Sequence, residues 1–94
     1  HEALIAYNQA IRLDLDCASA YKGKGLALFT IGQFAEALEA FDQAIHLNPD
    51  LASVYFNRGD ALFILGQFAE ALASYDKGRQ HGEEGLETEK WTQV

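Results

Sequence analysis

Methionine is absent from this 94-residue chain, and cysteine, proline and tryptophan occur once each. A single cysteine, Cys17, excludes an intrachain disulfide. The fold therefore does not depend on an oxidising compartment, and a cytoplasmic setting is favoured. Positive charge is scarce: seven Lys and Arg stand against fourteen Asp and Glu, a net charge of −7. Phosphate binding needs a basic face, so the balance argues against nucleic acid as a partner. It disfavours anionic membrane surfaces for the same reason. No stretch approaches the 18 apolar residues of a membrane-spanning helix. The opening "HEALIAY" lacks the basic-then-apolar pattern of a signal peptide. Without an initiator methionine, it reads as a piece cut from a longer chain.

The residues that carry chemistry are as sparse. His1, His46 and His81 are scattered, and no pair has metal-ligand spacing. Cys17 has no histidine beside it to act as a base. "KGKG" at Lys22–Gly25 lacks the upstream glycine and the Ser or Thr of a phosphate-binding loop, and it falls inside a helical pattern. No carboxylate pair is placed for acid–base work, and the acids read as solvated helix faces. The expectation is a non-enzyme with no catalytic residue, metal or cofactor.

What the chain does have is a repeat. "GQFAEAL" stands at Gly32–Leu38 and again at Gly66–Leu72, 34 residues on. Aligning 18–51 with 52–85 gives 15 identities in 34 positions, among them Ala18, Tyr21, Gly25, Leu28, Phe29 and Asp42 with Ala52, Tyr55, Gly59, Leu62, Phe63 and Asp76. "EALIAYNQAI" at Glu2–Ile11 aligns in the same register with "EALEAFDQAI" at Glu36–Ile45. The chain thus divides into half a unit (1–17), two units (18–51 and 52–82) and a tail (83–94). A fixed period of this size signals stacked repeats.

Each unit reads as two helices. Apolar residues recur at helical spacing over Ala18–Ile31 and Phe34–Leu47, in segments rich in Ala and Leu. Gly32 and Gly66 supply the left-handed residue that ends a helix. Asp16 and Asp50 stand where N-caps are expected, and Asn48-Pro49-Asp50 breaks the chain between units. Tyr21, Gly25 and Leu28 form one stripe, answered by Phe34, Leu38, Phe41 and Ile45. Gly25 with Ala37, and Gly59 with Ala71, are expected to face each other where the helices approach closely. In the heptapeptide only Gln33 and Gln67 lack an evident structural task.

Period and pattern together resemble the tetratricopeptide repeat. Its signature positions hold Tyr21, Lys24-Gly25, Leu28, Ala37, Phe41 and Pro49 in the first unit. In the second they hold Tyr55, Arg58-Gly59, Leu62, Ala71, Tyr75 and Glu83. Lys24 and Arg58 depart from the usual aliphatic residue and are expected to be partly exposed. Gly78 and Glu83 replace Ala and Pro, which reads as the decay of a last repeat. The resemblance implies an all-α fold in which antiparallel helix-turn-helix repeats stack as a right-handed α-solenoid.

It also implies where partners bind. In this family the first helix of each unit lines a concave groove that holds a peptide or a helix. The corresponding positions are Ser19, Lys22, Leu26, Phe29 and Thr30, then Ser53, Phe56, Asn57, Asp60, Phe63 and Ile64. Their side chains make the groove rather apolar, with one charge of each sign, which suits a peptide with apolar anchors. Phe29, Phe63 and Ile64 also fit a role in packing against the adjacent repeat, whereas Phe56 replaces Lys22 and is expected to be exposed. Lys22 and Asn57 match two positions of the carboxylate-clamp subclass, but Leu26 stands where that clamp needs Asn. The tail fits a capping helix, with Trp91 packing, or the start of another unit. The leading expectation is a protein-interaction scaffold. Its rival is self-association, as a dimer or by helix exchange, through Leu4, Ile5, Tyr7 and Ile11 on a first helix without a partner.

Overall fold

The computed structural model describes residues 2–13 and 17–93, with side-chain surroundings through residue 82. Five helices follow one another: α1 (Glu2–Leu13), α2 (Ala18–Thr30), α3 (Phe34–Leu47), α4 (Ala52–Ile64) and α5 (Phe68–Gln93). No strand occurs among the described residues. Helices α2 and α3 form one hairpin, and α4 and α5 the next. Helix α1 leans on α2 and α3 leans on α4, while α2 and α4 touch only briefly. The molecule measures 46 × 33 × 19 Å. With a helix about 10 Å across, the shortest dimension is two helices deep. The core is the seam between those two rows.

Small residues set that seam. Ala37, Ala40, Phe41 and Ala44 bury one stripe of α3 against Leu28 of α2 and against Val54 and Ala61 of α4. Phe41, Leu62 and Val54 are the largest fully buried side chains. Burying a side chain of this kind contributes about 1.5–3 kcal/mol. The glycines meet rings across the seam. A Cβ at Gly25 would lie 2.5 Å from Phe41, and one at Gly59 would lie 2.6 Å from Tyr75. Ala37 and Ala71 are buried. The atoms nearest each glycine belong to the aromatic one turn further on. Gly23 makes the same kind of room for Tyr7 of α1.

The two heptapeptides fold alike. Gly32 and Gly66 have φ of 85° and 86°, the left-handed region. The Gly32 N–H donates to the Phe29 carbonyl at 3.0 Å and the Gln33 N–H to the Leu28 carbonyl at 2.9 Å. This crossed pair satisfies the last carbonyls of α2. The Gln33 carbonyl then accepts from the Ala37 N–H at 2.9 Å and opens α3. Gln67 repeats both bonds with Leu62 and Ala71. Gln33 and Gln67 therefore do have a structural task, carried by their backbone.

The break between units differs from expectation. Leu51, not Asp50, is the N-cap of α4, and no side chain caps it. Asp50 lies one residue too early, because its N–H is bound by the Asn48 side chain at 3.2 Å in a local turn. Its carboxylate instead lies 3.9 Å from His81 Nδ1 on α5. The α2 N-cap is Cys17, also without a side-chain bond, and Asp16 lies outside the described residues. Tyr55 fastens the break by donating its hydroxyl to the Pro49 carbonyl at 2.9 Å. Helix α5 runs on to Gln93 without interruption at Gly78, Gly82 or Gly85.

Candidate interaction groove

Helices α2 and α4 carry the expected groove positions at equivalent places in their units, and one bond ties these two helices together. Lys22 of α2 donates from Nζ to Ser53 Oγ of α4 at 2.8 Å. Elsewhere on the seam Arg58 Nε pairs with Asp42 Oδ1 at 2.5 Å, which fixes α4 on α3. Lys24 and Arg58 are both half-buried.

Exposure at the expected groove positions is uneven. Leu26 and Phe56 each retain 41% of their surface, Ile64 49% and Phe63 56%. Ser19, Thr30, Ser53 and Asp60 are exposed, and Lys22 and Asn57 half-buried. The Thr30 hydroxyl turns back to the Leu26 carbonyl at 2.8 Å and is spent within its own helix. Phe29 and Phe63 occupy equivalent positions but fare differently. Each makes an edge-on pair with the first residue of the next helix, Phe29 with Phe34 at 5.0 Å and Phe63 with Phe68 at 5.1 Å. Phe29 also packs against the core. Phe63, Ile64, Phe68 and Leu72 stay open to solvent. Phe29 is thus a packing residue, while Phe63 and Ile64 present apolar surface.

Phe56 is exposed on one side only. Its ring stands 6.3 Å from that of Tyr75, and a Cβ at Gly78 would meet it at 3.0 Å, with the Ala52 carbonyl at 3.1 Å. Gly78 is thus the complement of Phe56. Where the first unit combines Lys22 with Ala44, the second combines a large ring with a glycine. That contact gives the departure at this position a packing partner.

Asp60 is held from below. Tyr75 donates its hydroxyl to Asp60 Oδ1 at 2.6 Å. That hydrogen bond, followed by burial and the Asp60 charge, pushes the Tyr75 phenol up to about 12. Tyr75 was not among the expected groove residues. Its hydroxyl distinguishes it from Phe41, the counterpart in the first unit, and that difference was the available signal. A cavity of about 680 Å³ opens between α2 and α3, lined by Tyr21, Lys24, Leu28, Glu36, Glu39, Ala40, Asp42, Gln43 and His46. None of the groove residues lines it. No helix among the described residues is long and apolar enough to cross a membrane.

Repeated antiparallel hairpins, joined by identical glycine turns and stacked through a small-residue seam, define a helical-repeat protein of the solenoid class. A TPR repeat model matches residues 25–63 and a tetratricopeptide repeat model residues 52–83. The chain belongs to the tetratricopeptide repeat family. Among solved structures it is similar to one described as the crystal structure of MamA, with 27% identity and a TM-score of 0.86 over 89% of this chain and 49% of that one. A further MamA structure, MSR-1 C2, shows 23% identity and a TM-score of 0.82, covering 88% of this chain and 48% of that one. This second likeness bears on the fold alone. The second TPR of Spaghetti (RPAP3), bound to the HSP90 peptide SRMEEVD, shares 25% identity with a TM-score of 0.82, over 84% of this chain and 73% of that one. The chain spans about half the length of the MamA chains it matches. No curated protein sequence matches it.

Proposed function

We propose that the chain is a non-catalytic scaffold that holds a peptide or helix of another protein in the groove formed by α2 and α4. The observation that carries this reading is the row of half-exposed apolar side chains, Leu26, Phe56, Phe63 and Ile64, which runs across both units. Isolated exposed apolar residues are ordinary on a protein surface, but a set of four, one on α2 and three on α4, supports an interaction site. The peptide-bound RPAP3 neighbour supports a peptide as partner. A carboxylate-clamp mode has less support, since Leu26 occupies the place of a needed Asn. Nucleic acid and membrane surfaces fit poorly with a charge of −7, and a cytoplasmic setting fits a chain with one cysteine. A pull-down comparing the wild type with Phe56→Ala/Phe63→Ala tests the groove. The variant is expected to lose the wild-type partners. Equal recovery by both removes the groove reading.

A second reading, self-association, rests on a different observation. Phe68 and Leu72 are 57% and 65% exposed, whereas Phe34 and Leu38 at the same positions of the first unit are half-buried. Ile5 of α1 is open as well. Light scattering across a concentration series separates the readings: a particle that stays monomeric at high concentration eliminates the second.

A further inference from the structure

We infer that the groove takes an apolar segment flanked by a Lys or Arg, with its apolar side chains on Leu26 and Phe56 and its cation at Asp60, in preference to an acidic chain terminus. This rests on the groove reading and adds the chemistry of the occupant. Three observations support it. First, Phe56 is held by Gly78 and Tyr75 while keeping 41% of its surface open. A ring fixed before binding loses little conformational freedom when it becomes an anchor. Second, the two groove charges are not equivalent. Lys22 is half-buried and places one of its three donors on Ser53. Asp60 is exposed and accepts from Tyr75 at one oxygen, Oδ1. A carboxylate has four lone-pair sites, so its other oxygen remains an acceptor for an incoming cation. Third, the whole chain carries −7, a field that draws basic segments and repels acidic ones before contact.

Selection of a random dodecapeptide library on the full chain tests the inference, with Asp60→Asn, Phe56→Ser and Leu26→Ser as parallel targets. Circular dichroism checks that each variant is folded. Peptides recovered on the wild type are expected to combine apolar residues with Lys or Arg. They should bind more tightly than the acidic peptide SRMEEVD. On Asp60→Asn the apolar enrichment should persist while the basic enrichment fades, and a synthesised basic peptide should bind about two- to fivefold more weakly, the range of an exposed ion pair. On the two serine variants, affinity should fall by about tenfold or more, as for loss of an anchor. Enrichment of acidic termini, or unchanged basic enrichment on Asp60→Asn, overturns the charge assignment and leaves the groove standing. Unchanged recovery on both Phe56→Ser and Leu26→Ser overturns the groove itself. A library that enriches nothing on the wild type counts against both.

Discussion

Replacing Gly59 with alanine sets two effects of opposite sign against each other. In a helix interior, Gly→Ala is worth about 1 kcal/mol in favour of the folded chain. At Gly59 the added Cβ would lie 2.6 Å from Tyr75 Cε1, 2.7 Å from Cδ1 and 3.0 Å from Cζ. An aromatic ring could swing aside if its end were free. Here the hydroxyl is bound to Asp60 at 2.6 Å, so relief requires breaking that bond or spreading α4 from α5. Overpacking of this kind costs about 1–3 kcal/mol, and loss of the hydrogen bond adds about 1 kcal/mol. The net expectation is destabilisation by about 1–3 kcal/mol. Gly82, on α5, is the matched control, since a Cβ there meets nothing within 4 Å. Gly82→Ala should gain up to about 1 kcal/mol from propensity alone. Urea unfolding followed by circular dichroism, with both variants beside the wild type, measures the two signs directly. If Gly59→Ala stabilises as much as Gly82→Ala, the ring is not fixed where described and the account of the seam is wrong.

Three further outcomes are expected. Gly32→Ala and Gly66→Ala each should cost about 1–2 kcal/mol, because φ near 85° is strained for any side chain even though nothing crowds the site; chemical denaturation at neutral pH measures it. Folding raises the Tyr75 phenol from 10.0 to about 12, so the folded chain keeps a proton that the unfolded chain releases. That contribution is complete below pH 10 and disappears as pH rises through 12, so the wild type should lose more stability over this window than Tyr75→Phe. A parallel slope in both proteins would refute the Asp60 bond. Arg58→Ala should cost no more than about 1 kcal/mol, with the loss shrinking at high salt, since Asp42 is half-exposed; a larger, salt-independent loss in thermal melts would assign Arg58 a packing role instead.

The period of the sequence carried most of the architecture. Residues whose type itself fits one task were legible: Gly32 as a left-handed turn residue, Leu28 and Phe41 as core. Tasks performed by the backbone of a residue whose side chain has no part in them were not. Gln33 closes one helix and opens the next through its N–H and carbonyl, which leaves no mark in side-chain chemistry. Asp50 has the right type for an N-cap, but the Asn48 turn places Leu51 there instead. Gly78 looked like a lapse when compared with Ala44 alone. Its reason lies 22 residues earlier at Phe56, and only the packing of α5 on α4 brings them together. In the groove, position could be carried over from the repeat pattern. The states of Lys22 and Asp60 depend on Ser53 and Tyr75, which sit on other helices.

Contacts that join only neighbours along the chain have a kinetic consequence. Among the described residues each helix meets its neighbours in the chain, and the furthest reach between helices is the brief touch of α2 and α4. No distant segments must find each other before the first hairpin gains stability. Closing a short loop takes about 10–100 ns and helix growth about nanoseconds per residue, so assembly can begin at either hairpin and spread outward. Such low contact order belongs to the microsecond-to-millisecond class of folders. A chain emerging slowly from synthesis could complete the 18–51 unit before the next one exists, and each finished unit would be the template on which its successor condenses.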